Sequence, residues 1–253
     1  MSGDSLVEMR GIHKRFGETV ALRDVDFTVG RNEVVGLVGD NGAGKSTLIK
    51  ILTGVYQADA GEIRYKGRPV RIASPAHARS LGIEPVHQFG STVDELSIWE
   101  NFFLGREACR HLGPIRILDK KTMREITRQT LERLGIHLDD IERPIGTLSG
   151  GERQAVVMGR AVHFGGELLV LDEPTAALSL RETERVLEYI SNVRRMGRSV
   201  ILITHITRHV YPVADRFVVL ERSMKIADVA KDRITRKELE DLIVRGRLEA
   251  ERI

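Results

Sequence analysis

The sequence predicts an α/β fold: a mainly parallel sheet buried on both faces, with helices on either side, an antiparallel β edge subdomain and an inserted helical subdomain. Three observations predict it. Short apolar runs at residues 34–38, 168–171 and 200–203 are bounded by polar or glycine residues, the pattern of strands with no solvent-facing side. Segments with helical spacing alternate with these runs at residues 45–52, 181–196 and 206–214, the βαβ rhythm of a parallel sheet. Ahead of and between them, residues 6–10 and 20–29 alternate as antiparallel strands do, and residues 62–72 read as a hairpin around Lys66 and Gly67.

From about residue 92 to 165 the periodicity turns helical, with residues 120–134 the clearest amphipathic helix and no strand pattern, and from Thr235 onward the chain reads as one charged helix. The expected organisation is a single domain over residues 5–246, its core about 5–90 and 165–246 and its helical lobe about 91–164.

At 253 residues, with 42% apolar and 30% charged residues, the composition is that of an ordinary globular protein. The 39 Lys and Arg are interspersed with 36 Asp and Glu, and aromatics make up only 5%, so no nucleic-acid partner is expected. The single cysteine, Cys109, rules out an internal disulfide and a cysteine zinc site. No apolar run approaches the roughly 20 residues of a membrane-spanning helix. Any membrane role is therefore expected to run through partners.

Gly39, Asp40, Asn41, Gly42, Ala43, Gly44, Lys45, Ser46 and Thr47 match G-x-x-x-x-G-K-[ST], between a buried strand and a helix. In that setting the glycines let backbone N–H groups turn toward phosphates and the helix N-terminus adds its positive dipole end. Lys45 can reach the β- and γ-phosphates of ATP, and the Ser46 hydroxyl can ligate Mg²⁺. A second segment, 168–173, ends a buried strand on Asp172 and Glu173. Asp172 can hold the metal's water shell and Glu173 can act as general base on an attacking water. A third, Ser149, Gly150, Gly151 and Glu152, starts a helix and can bind an anion there, although a plain N-cap explains Ser149 equally well.

A glycine-rich loop, an LSGG segment and a hydrophobic-Asp-Glu segment in this order resemble the ATP-binding-cassette (ABC) ATPases, members of the P-loop NTPase fold. The resemblance spans residue 7 to about 246. It implies that two cassettes pair head to tail, so that Ser149, Gly150, Gly151 and Glu152 of one subunit cover the ATP held by the other's loop. By the same resemblance Phe16 corresponds to the aromatic that stacks on adenine. Gln88 corresponds to the glutamine that senses Mg²⁺ and the γ-phosphate, and His205 to the switch histidine. Ser179 stands where the family pattern carries Asp, Glu152 where Gln is commonest, and His87 where a Tyr often precedes the glutamine.

The wording of residues 39–47, 82–88, 100–107 and 172–183 is similar to the ATPases of monosaccharide importers of the ribose, xylose and fructose class. That similarity implies an ATPase energising sugar uptake through integral membrane permease subunits, and indirectly a solute-binding protein. The expected location is peripheral, on the cytoplasmic face of the inner membrane. Val93, Leu96, Ile98, Phe102 and Phe103 are expected either to line the groove that receives the permease or to form the lobe's own core. The alternatives are a soluble cassette of repair or translation, an ABC ATPase for a non-sugar solute, and a regulator that binds ATP without turnover.

Overall fold

Strands with both faces buried need cover on both faces, and the alternation of their side chains shows what covers each. The computed structural model describes residues 5–86, 92–176 and 178–250. In chain order the elements begin with β1 (Ser5–Phe16), β2 (Thr19–Gly30), β3 (Val34–Val38), α1 (Lys45–Leu52), β4 (Ala60–Tyr65), β5 (Arg68–Pro69), α2 (Pro75–Ser80) and β6 (Ile83–Val86). Next come α3 (Ile98–Phe103), β7 (Cys109–Leu112), β8 (Ile115–Leu118), α4 (Lys120–Arg133), α5 (Gly150–His163) and β9 (Leu168–Asp172). The chain closes with α6 (Leu180–Arg195), β10 (Ser199–Ile203), α7 (Thr207–Val210), β11 (Arg216–Glu221), β12 (Met224–Ala230) and α8 (Arg236–Ala250).

Six strands form the central sheet in the order β12-β11-β3-β10-β9-β6. All its pairings are parallel except β11 with β12. Val34, Leu169, Leu171, Val200 and Leu202 face one core, shared with α3, α4, α5 and α6. Their neighbours Val35, Leu37, Leu168, Val170, Ile201 and Ile203 face a second core with α1 and the antiparallel sheet. The period of two thus divides each strand between two hydrophobic layers. The antiparallel sheet runs β2-β1-β4-β5, with Lys66 and Gly67 at positive φ turning β4 into β5.

Three features differ from the sequence reading. The stretch from 92 to 165 is not free of strands: β7 and β8 form a separate two-stranded hairpin within it. The helix expected over 206–214 is confined to Thr207–Val210, because Tyr211 to Ala214 continue as a turn into β11. Residues 83–86 add an unanticipated strand, β6, at the sheet's edge. The edge is where Pro85, which lacks an N–H donor, is tolerated.

Candidate active site

The turn from β3 into α1 is built on glycine backbone conformations. Gly39 has φ of 140° and Gly44 φ of 103°. A Cβ on Gly39 would sit 2.0 Å from the Leu220 carbonyl oxygen, and one on Gly44 would sit 2.6 Å from that of Ala21. Gly39→Ala is therefore expected to cost about 3 kcal/mol of stability, through the clash and the strained φ together. A denaturant midpoint for that variant equal to wild type would contradict the placement. The loop is strapped from below by the β11–β12 turn, where Ser223 N–H donates to the Ala43 carbonyl at 3.2 Å and Arg23 N–H to the Ser223 carbonyl at 2.7 Å.

Helix α1 starts at Gly44 with no side chain capping its first N–H groups. These unmet donors, with the helix dipole behind them, form a cradle for anionic oxygens. Lys45 is buried, and its ammonium donates to the carbonyls of Gly39 at 2.7 Å and Asp40 at 2.8 Å, spanning the loop. Burial lowers its pKa, while Glu173, Asp40 and Asp172 around it favour the charged form.

The loop opens onto a cavity of about 510 Å³ lined by Thr19, Ala21, Gly42, Lys45, Asp172 and Glu173, with Ser46 and Thr47 among its other walls. Asp172 and Glu173 arrive there because β9 and β10 are parallel neighbours, with Asp172 opposite Ile203. Glu173 is a non-glycine residue at φ of 48°, a conformation that costs energy and clusters at functional sites. Its backbone N–H donates to the Ile203 carbonyl at 2.9 Å. Its carboxylate accepts from the Thr204 hydroxyl at 3.0 Å and from the His205 N–H at 3.1 Å, and lies 2.7 Å from His205 Nδ1. A carboxylate only accepts, so Nδ1 carries the proton of that bond. Thr204, fully buried, was not picked out in the sequence, although it immediately precedes His205.

A second pair joins the same two loops. Thr175 Oγ1 and His209 Nδ1 are 2.9 Å apart and buried, and Arg208 Nε donates to His209 Nε2 at 3.2 Å. Nε2 is thereby the acceptor and Nδ1 the donor to Thr175. Burial, then the Arg208 charge, lowers the His209 pKa.

Ser149, Gly150, Gly151 and Glu152 do not line this cavity. Ser149 caps α5 in a capping box, its Oγ accepting from the Glu152 N–H at 3.3 Å and its own N–H donating to Glu152 Oε2 at 2.9 Å. Glu152 is thus occupied within its own helix cap. Ser179 caps α6 in the same way through Glu182. The Glu182 carboxylate is held below the usual range by the Ser179 hydroxyl and N–H, with smaller contributions from the Gly151 and Gly150 N–H groups. A carboxylate that Ser179 lacks is therefore present one turn further on in α6, at Glu182, beside the Gly150 and Gly151 N–H groups that start α5.

Phe16 ends β1, exposed at 43%, with its ring 5.1 Å from Tyr56 and the Lys14 ammonium 5.4 Å from its centroid. It does not line the cavity, but its strand partner Thr19 does. Gln88 and His87 lie outside the described residues. Of the residues weighed as a permease groove, Ile98, Phe102 and Phe103 are buried in the core, where both phenylalanines pack on His163 and Phe164. Leu96 is half-buried, and Val93 is exposed at 40%.

The donor set suits a nucleotide with magnesium. Open backbone N–H groups and a buried ammonium match phosphates. The Ser46 hydroxyl and Asp172 carboxylate in the same cavity are hard oxygen donors. No group of three or more His, Cys, Asp or Glu that could hold a metal occurs among the described residues.

A family model described as ABC transporter matches residues 22–176. The chain is 42% identical to the xylose/arabinose import ATP-binding protein XylG of Sulfolobus acidocaldarius, over 94% of this chain and 93% of that protein. It is 43% identical to the fructose import ATP-binding protein FrcA of Rhizobium meliloti, over 85% of each. The ribose import ATP-binding protein RbsA of Caldanaerobacter subterraneus is 39% identical over 95% of this chain but only 48% of its own length. The crystal structure of an ATP-binding cassette of an ABC transporter in its ADP conformation superposes with a TM-score of 0.81, at 26% identity over 95% of both chains.

Proposed function

The chain belongs to the ABC transporter family, and from that premise we propose that it is the ATP-hydrolysing subunit of a monosaccharide importer. The observation that carries the hydrolytic part is the meeting of Lys45, Asp172 and Glu173 in one cavity, with His205 bonded to Glu173. The sugar is supported by the likeness, over most of the chain, to a xylose/arabinose and a fructose import ATP-binding protein.

The residues divide the work. Lys45 and the N–H groups at the start of α1 hold the β- and γ-phosphates of ATP. Ser46 and Asp172 would hold Mg²⁺, which when bound would neutralise phosphate charge. Glu173 takes the proton of the attacking water, and Thr204 and His205 fix the direction of its carboxylate. The bond between Thr175 and His209 keeps the Glu173 loop and the His205 loop in register. Phe16 offers its exposed ring to the adenine, and Gln88 reports the γ-phosphate to the helical lobe.

Ser149, Gly150, Gly151 and Glu152 complete the site of a second copy, head to tail. Their position away from the chain's own cavity supports this reading. No helix among the described residues is long and apolar enough to cross a membrane. By analogy with its import ATP-binding relatives, the chain acts at the cytoplasmic face of the membrane through integral permease subunits, with a solute-binding protein delivering the sugar.

The test is uptake of labelled pentoses and hexoses by cells with and without this gene. Loss of uptake of a monosaccharide is expected, restored by the wild-type chain and not by Glu173→Gln. Unchanged uptake of every sugar, with a non-sugar solute affected instead, would overturn the substrate assignment.

A further inference from the structure

The hairpin β7–β8 is bonded to neither of the two larger sheets. Its register sets Cys109 against Leu118, Arg110 against Ile117 and His111 against Arg116. Arg116 and Leu118 therefore share one face, while Arg110, Ile115 and Ile117 share the other. Ile115 is 61% exposed and Leu118 44%. Arg110, His111 and Arg116 are exposed beside them. Each face thus offers an aliphatic side chain next to a base.

Helix α4 follows at once, with Lys120 and Lys121 as its first residues and no acid in its first turn. The helix dipole disfavours cations there, and α3, α5 and α6 each place a Glu in that turn. Residues 109–121 hold four Lys or Arg and one acid, a net +3 that equals the net charge of the whole chain. The acid, Asp119, is engaged by the Thr122 N–H and hydroxyl. The flanking Arg106 and Arg124 pair with Glu84 and Glu142. Arg110, Arg116, Lys120 and Lys121 form no close ion pair among the described residues; Asp119 feels Arg110 and Lys121, and Glu100 and Glu142 feel Lys120, only at longer range.

We propose that this hairpin and the start of α4 form a docking surface for an anionic lipid bilayer. The unpaired bases would lie against lipid phosphates, while Ile115 and Leu118 enter the boundary between headgroups and acyl chains. A two-stranded ribbon that enters tip-first, at Gly113 and Pro114, brings both of its mixed faces into the interfacial layer. It offers no groove for a partner helix, and residues 109–121 line none of the cavities at the nucleotide site, beside β4, beneath α4 or beside α7. The surface would hold the subunit at the membrane whatever solute is carried.

The experiment is co-sedimentation of the purified full chain with vesicles of equimolar phosphatidylglycerol and phosphatidylcholine, and with phosphatidylcholine alone. Binding is expected only to the anionic vesicles, weakening as salt is raised. The double variant Arg116→Glu/Lys120→Glu is expected to bind at least about tenfold more weakly while still binding ATP, which reports its fold. Ile115→Ser/Leu118→Ser is expected to weaken binding at every salt concentration. Equal binding to neutral vesicles, full binding by the charge-reversed variant, or wild-type chain left in the supernatant with both vesicles would overturn the proposal. Loss of permease capture by the charge-reversed variant with vesicle binding unchanged would do so too, by assigning the surface to a protein.

Discussion

Glu173→Gln is expected to lower ATP turnover by roughly 10²–10⁴-fold, the usual contribution of a positioned general base, with ATP affinity within a few-fold of wild type. The substitution changes one atom. The amide oxygen can still accept from the His205 N–H and Nδ1–H that now lie 3.1 and 2.7 Å from the carboxylate. Lys45 and the start of α1 are untouched, so the phosphates keep their ligands. Only the capacity to take a proton from water is lost. With hydrolysis blocked, the dimer closed on ATP should accumulate, read as a shift to dimer on gel filtration with ATP. A turnover equal to wild type would show that Glu173 is not the base.

Lys45→Ala is expected to weaken ATP binding by at least about 3 kcal/mol, roughly a hundredfold, because charge-assisted bonds to phosphate are lost. The electrostatics sharpen the effect. Lys45 stands amid Glu173, Asp40 and Asp172, and without its ammonium three carboxylates would meet the polyanion unopposed. The Gly39 carbonyl would also lose the ammonium as donor, and the Asp40 carbonyl would keep the Ala43 N–H. Lys45→Arg should not rescue binding, since a planar guanidinium cannot take the place of a compact ammonium at this depth. Equilibrium titration with a fluorescent ATP analogue measures the loss, and an affinity within about threefold of wild type would remove Lys45 from the phosphates.

The parallel sheet could be read from the chain because Val34–Val38 and its counterparts are apolar at every position, which only a strand buried on both faces requires. The glycine-built turn into α1 was equally plain, since Gly39 and Gly44 answer to local backbone demands. What escaped notice depends on contacts distant in sequence. The bond between Glu173 and His205 exists because β9 and β10 lie side by side, an adjacency that strand order along the chain does not reveal. Phe102 and Phe103 turn inward because His163 and Phe164, some sixty residues later, pack against them tilted and edge-on. The hairpin was missed for a different reason. Ile115 and Ile117 alternate with Arg116 over only four residues, and both faces keep exposed side chains, so the contrast between buried and exposed that marks a strand is absent. Gly113, at φ of 61° before Pro114, was the available turn signal.

Completion of the cavity holding Lys45 and Glu173 by Ser149 of a second copy can be tested by mixing two inactive variants. Lys45→Ala lacks a working phosphate loop, and Ser149→Arg lacks a working helix start. In a mixed dimer the loop of the Ser149→Arg chain faces the intact Ser149 of the Lys45→Ala chain, so one complete site is rebuilt. Each variant alone, with the permease present, is expected to show no turnover, and an equimolar mixture to recover a clear fraction of wild-type ATPase activity. A mixture as inactive as its components, or normal turnover by Ser149→Arg alone, would contradict a site shared between two chains.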